Sequence, residues 1–239
     1  MNEDYLIRPL SPMRKVIAAR MSEAKRTIPH FRLMADIEVD ALLTRRTQLC
    51  RARPGVPLSL NDLLIKACAQ ALMEVPELNV QWAESELHQF ANADISIVTA
   101  VEGGLTTPIV RKAQLKSIWE ISAEVKDLAA RGARNELKMD EIVGGSFSIS
   151  NLGMYGVDEF DAVINPPQCA ILAIGAAKCR CVASRHLEPR VATVMRVTLS
   201  ADHRAIDGIA SARFLSALRS CIEAPLQIRA EHTGHECNA

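Results

Sequence analysis

Residues 31–39, FRLMADIEV, place the strongest limit on the fold. Phe31, Leu33, Ala35, Ile37 and Val39 alternate with Arg32, Met34, Asp36 and Glu38. This is the period of a strand with one face in a core and the other in polar surroundings. Such a strand needs a sheet, and the sheet needs an apolar cover on one side. Candidate covers flank it. Ser11-Pro12 reads as an N-cap followed by a first-turn proline, with Val16, Ile17, Met21 and Ala24 at helical spacing until Pro29. Asp40 is placed to cap a helix through about Arg51, broken by PGVP at 54–57, and Ser59 to Val75 predicts a second apolar helix that stops at Pro76.

Further along, Leu87 to Phe90 and Asp94 to Val101 predict a strand pair, Glu-Gly-Gly (102–104) a turn, and LTTPIV (105–110) another short strand. Ser117 to Arg131 is an amphipathic helix with Ile118, Ile121, Val125 and Leu128 on one face. SFSIS (146–150) is a strand running into the loop NLGMYG. CAILAIG is a buried strand after the breaker NPP, and Val191 to Ser200 is the last strand. The last helix starts near Asp207 and carries Ala212, Leu215, Leu218 and Ile222 on one face before Pro225. Strands and helices intermix without a regular βαβ alternation. The expected fold is one α/β domain, a mixed sheet covered by helices on one side.

Bulk properties narrow the class. The 239 residues are enough for a substantial core. Lys plus Arg equals Asp plus Glu at 28 each, so no basic surplus points to nucleic acid or an anionic membrane. No run of 18 apolar residues predicts a membrane span, and MNEDYLIRPL lacks the apolar stretch of a secretory signal. The seven cysteines are odd in number and form no CxxC, and several lie in apolar runs such as LLIKACAQAL. They fit reduced thiols in a reducing, cytoplasmic compartment.

Two positions stand out as chemistry. In LSADHRAIDG (199–208) an apolar strand runs straight into Asp202-His203-Arg204, with Asp207 four residues after the histidine. A neutral imidazole there can act as a general base. The same residues also fit a surface histidine beside a helix that Asp207 caps. Ser150 ends SFSIS and begins the turn SNLG. Its hydroxyl can be a nucleophile, an oxyanion donor or simply a turn former. GxSxG, P-loop, GxGxxG, HExxH and EF-hand patterns are absent. His30, in TIPHF, has a packing or capping role where the first helix yields to the strand. Arg14, Lys15, Arg20, Lys25 and Arg26 form mostly the solvated face of that helix. HTGHEC (232–237) offers two histidines and a cysteine in a polar terminus, which does not make a metal site.

DHRAIDG resembles the DHRxxDG signature of the catalytic domain of dihydrolipoamide acyltransferases, the E2 components of 2-oxo acid dehydrogenase complexes. PLSPMRKVIAARMSEAKRTIPHF, GGLTTPIV and GGSFSISNLGMYGVDEFDAVINPPQCAILAIGAA are similar to other segments of that domain, in family order from Pro9 to Pro225. The resemblance implies a chloramphenicol acetyltransferase-like two-layer sandwich assembled as a trimer, with residues 1–8 a linker or arm and 226–239 a polar tail. It implies His203 as base, Ser150 as oxyanion donor across a subunit interface, and Asp207 in the same site. The implied substrates are coenzyme A and dihydrolipoamide, with an acetyl-type acyl group and no metal. The implied partners are a lipoyl domain in cis or in trans, the E1 dehydrogenase and the E3 dihydrolipoamide dehydrogenase. No lipoyl domain is recognisable in this sequence, so an acyltransferase with another acceptor and a non-catalytic trimeric scaffold remain as alternatives.

Overall fold

The computed structural model describes residues 5–101, 104–183 and 188–225. The elements run α1 (Pro12–Thr27), β1 (His30–Glu38), α2 (Asp40–Ala52), α3 (Leu60–Glu74), β2 (Val80–Ala83) and β3 (Glu86–Gln89). Then come β4 (Ile95–Ile97), β5 (Thr99–Val101), β6 (Gly104–Thr106), β7 (Ile109–Val110), α4 (Ile118–Ala133) and α5 (Met139–Ile142). β8 (Phe147–Asn151), β9 (Ala170–Ala183), β10 (Pro189–Asp202) and α6 (Gly208–Glu223) complete the domain. Six strands form one sheet in the order β1-β10-β9-β8-β4-β7. β8 is parallel to both its neighbours, and the other three pairings are antiparallel. The mixed sheet expected from the sequence is therefore present.

Helix starts follow local chemistry. The Ser11 hydroxyl accepts from Arg14 N, and Ser59 and Ser117 each form a reciprocal capping box with the acidic side chain three residues on. α3 is buried nearly all round, which suits its apolar sequence and its place between α2, α4 and α6. Its one basic residue, Lys66, is 6% exposed and donates to the carbonyls of Gln114 (2.7 Å) and Lys116 (2.6 Å). Burial lowers its pKa, while three carbonyl partners, Ala113 included, satisfy its protons.

The sheet separates two cores. Leu172 and Ile174 of β9, Phe147 and Ile149 of β8, and Val197 and Leu199 of β10 join the large cluster under the helices. Alternate residues Ile171 and Ala173 face the other way and pack with Ala24 and Ile28 of α1 and with Ala162 and Ile164. One helix thus covers the second face, where the sequence pattern placed all helices on one side. Elsewhere this face is polar. Arg196 forms a two-bond fork with Asp36 at 2.7 and 2.8 Å, and Arg32 pairs with Asp161.

Four local expectations are corrected. Asp40 does not cap α2, because its carboxylate instead accepts from Thr193 N of β10 at 2.8 Å, a bond that holds its pKa low. Residues 86–89 pair with β2, a strand the periodicity did not show, and not with 94–101. LTTPIV is two strands in two sheets, parted at Pro108. Ala212 is exposed, and Phe214 takes its place in the core beside Phe147, ring centroids 5.3 Å apart.

Candidate active site

Ser150 is fixed by its place in the sheet. It lies on β8 between two parallel neighbours, paired with Ala173 of β9. Phe147 and Ile149 point into the large core, so Ser148 and Ser150 point to the α1 face. Beneath Ser150, the Ser148 hydroxyl donates to Gln168 Oε1, and Gln168 Nε2 donates to Ser96 Oγ at 2.8 Å. This buried network ties β8, β4 and the turn before β9. The loop that follows turns through Gly156 at φ +78°, and Asp158 O sits where a Cβ on Gly175 would have to go.

Ser150 is 8% exposed and lies on the floor of a cavity of about 330 Å³. Val16, Ile17 and Met21 of α1, Val98, Phe160 and Ile171 make most of the wall, and Arg20, Thr107 and Asn165 add polar groups. Among the described residues the Ser150 hydroxyl has no hydrogen-bond partner. Its proton is available to a group in the cavity. Arg20, expected on the solvated face of α1, reaches across to donate to the Pro166 carbonyl at the cavity rim.

His203 sits where β10 ends. Its amide donates to the Pro29 carbonyl at 3.1 Å, and its ring lies 4.4 Å from that of Phe31, tilted by 38°. The flanking Asp202 and Arg204 bind each other. Arg204 Nη2 lies 2.6 Å from Asp202 Oδ2, and Arg204 N and Nε both donate to Oδ1 at 3.0 Å. The guanidinium lies 4.5 Å over Trp82, and the Asp202 pair raises its pKa. This clamp bends the chain through His203 and leaves the imidazole exposed, with no hydrogen-bond partner among the described residues. Asp207 caps α6, accepting from Ala210 N at 2.7 Å.

Within the chain Ser150 and His203 do not meet. Ser150 aligns with Ala173 and, one strand further, Thr198, whereas His203 lies five residues past Thr198. At about 3.3 Å per residue and about 4.8 Å per strand the two are roughly 15–20 Å apart. Asp207 likewise has no hydrogen bond to either among the described residues. The sequence singled out all three residues but not their surroundings. Phe31, Trp82, Thr107 and Asn165 carry no local signal of their roles. Arg204 had one, since an Arg two residues from an Asp at a strand end can close on it.

No group of three or more His, Cys, Asp or Glu side chains able to hold a metal occurs among the described residues, and the tail 232–237 lies outside them. No helix among the described residues is long and apolar enough to cross a membrane.

The family model for 2-oxoacid dehydrogenases acyltransferase (catalytic domain) matches residues 2–230. The dihydrolipoyllysine-residue acetyltransferase component of the pyruvate dehydrogenase complex of Rhizobium meliloti (strain 1021) is 47% identical over 228 residues, covering 93% of this chain and 51% of that protein. The corresponding mitochondrial protein of Schizosaccharomyces pombe is 43% identical over 94% of this chain and 47% of its own length. The chain thus spans about half the length of these relatives. A probable dihydrolipoamide acetyltransferase from Listeria monocytogenes superposes with a TM-score of 0.88 at 32% identity, over 97% of this chain and 98% of that one. The Azotobacter vinelandii dihydrolipoamide acetyltransferase gives 0.90 at 27%, over 95% of each chain. Chloramphenicol acetyltransferase, at 14% identity and a TM-score of 0.52 over 85% of this chain and 94% of that one, shares the fold. The chain belongs to the family of 2-oxoacid dehydrogenase acyltransferase catalytic domains.

Proposed function

We propose that this domain moves a short acyl group, acetyl foremost, between dihydrolipoamide and coenzyme A. The observation that carries the proposal is the Ser150 hydroxyl, unpartnered among the described residues on the floor of a mostly apolar cavity. A thioester carbonyl placed there meets a donor aimed at the oxygen on which negative charge develops.

The chemistry asks little else. A thiol with a pKa near 8.5 is only a few per cent ionised at neutral pH, so a base must take its proton. The His203 imidazole accepts that proton as the sulfur attacks the thioester carbon, forming a C–S bond and a tetrahedral oxyanion. Ser150 O–H donates to the oxyanion. Collapse breaks the original C–S bond, and the departing thiolate recovers the proton from His203. One thioester replaces another, and the acyl group never bonds to the protein.

The separation of Ser150 from His203 calls for two copies of the chain, His203 of one serving Ser150 of the next. A trimer, alone or in a larger core, is the proposed assembly, with Asp207 shaping the site while it caps α6. Residues 9–225 are the catalytic unit and 1–8 a linker or arm; residues 1–4 and the expected tail 226–239 lie outside the described residues. The acyl group arrives on a lipoyl domain, in cis or in trans, charged by an E1 dehydrogenase and reoxidised by an E3, in the cytoplasm. The test is thioester formation from acetyl-CoA and free dihydrolipoamide. Transfer that depends on His203 supports the assignment. Absence of product sinks it and favours another acceptor or a non-catalytic scaffold, and full activity in His203→Ala removes His203 from the role of base.

A further inference from the structure

His30 does more than pack. Its part-buried ring meets the backbone at both nitrogens, with Nδ1 2.9 Å from the Ile28 carbonyl and Nε2 3.1 Å from the Ile164 amide nitrogen. A carbonyl only accepts and an amide N–H only donates. The two contacts together select the neutral imidazole with its proton on Nδ1. Ile164 belongs to the segment 160–165, which supplies Phe160, Ala162, Val163 and Asn165 to the wall of the Ser150 cavity. The preceding residue, Pro29, accepts the His203 amide, and His30 itself pairs in register with Asp202. The turn Ile28–Pro29–His30 therefore touches both the cavity wall and the strand end that bears His203.

We propose that His30, as the neutral Nδ1-protonated ring, is a positioning residue that holds the 160–165 wall of the Ser150 cavity, and that protonation of this ring releases the wall. The proposal rests on the assignment of that cavity as the acyl site. The charges around the ring come from every packed element. Lys25 of α1 and Arg32 of β1 oppose a positive imidazole, Asp202 of β10 favours it, and Asp161 on the wall is engaged with Arg32. Burial is the strongest influence and lowers the pKa below the ordinary histidine value. The folded state thus binds fewer protons than the unfolded chain between the two pKa values. The contact is complete above the unfolded value and is lost as pH falls through the folded one.

Amide exchange of the 160–165 segment, followed by mass spectrometry on the assembled protein and corrected for intrinsic rates, reads the wall without any acyl transfer. The wild-type segment is expected to lose about tenfold in protection between about pH 7.5 and pH 5, while β8 serves as an unmoved control. His30→Phe should show the lower protection at every pH. His30→Gln, which keeps an uncharged acceptor near the Nε2 position, should restore protection and abolish the pH dependence. In steady-state transfer His30→Phe should raise KM for dihydrolipoamide severalfold with kcat within about twofold. Unchanged protection in His30→Phe, or a pH-dependent loss that persists in His30→Gln, overturns the proposal. A wild-type protein that transfers no acyl group defeats the functional assignment instead, and the exchange data still decide the role of His30.

Discussion

Ser150 and His203 occupy the same six-stranded sheet, yet the β8-β9-β10 register sets His203 five residues beyond the level of Ser150. On the proposed assembly a single protomer holds half of two sites. Mixed assembly of Ser150→Ala and His203→Ala chains should therefore regain transfer. If the variants combine at random, about one site in four joins an intact histidine to an intact serine, so about a quarter of wild-type activity is expected. Continued inactivity of a verified mixed oligomer would place both residues in one protomer's site or in none.

The two substitutions should also differ singly. His203→Ala removes proton transfer and is expected to lower kcat by about 10²–10⁴ with little change in KM. Ser150→Ala removes one oxyanion donor and should cost about 10²–10³ in kcat. Trapping an acyl group on Ser150 by mass spectrometry would contradict direct transfer.

Asp207 has a structural duty that can be measured apart from catalysis. Asp207→Ala leaves the Ala210 amide without its cap and should cost about 1 kcal/mol, lowering Tm by a few degrees. Asp207→Asn keeps a capping oxygen and should lose much less. Equal losses in calorimetry would remove the cap from the account.

Asp202 is 1% exposed, and Arg204 neutralises it. Arg204→Met strands a buried carboxylate and should destabilise the fold by about 2–4 kcal/mol, part of which Asp202→Asn in the same chain recovers. A neutral single variant in urea unfolding would show that the pair is dispensable.

The cysteines should react in order of burial. Cys179 and Cys181 are exposed on β9, whereas Cys68 and Cys169 are buried, and burial pushes the Cys169 thiol up to about 12. Brief alkylation followed by peptide mapping should label the first two and reach the second two only after unfolding. Early labelling of Cys169 would contradict the packing around Asp202.

Much of this molecule was legible before its structure, because many of its signals are local. Ser11, Ser59 and Ser117 lie beside the turns they cap, and the β1 alternation reports its own two faces. Asp40 misled because the backbone of its own helix and Thr193, distant in sequence, compete for one carboxylate. β2 is four residues long and reads as a strand only once β3 pairs with it. For the site, the family resemblance named Ser150, His203 and Asp207. The cavity could not be read, since Arg20, Val98, Phe160 and Ile171 are scattered along the chain and meet only after the sheet is ordered.

The two sides of the cavity differ in rigidity. Ser150 rides on an interior strand laddered on both edges and anchored below by Ser148 and Gln168. The opposite side is α1, which buries only Ala24 completely. A change of acyl cargo over evolutionary time thus has an inexpensive route. On the proposed function, exchanges at Val16, Ile17 or Met21 reshape the room offered to the carbon chain, while the Ser150 hydroxyl keeps its address.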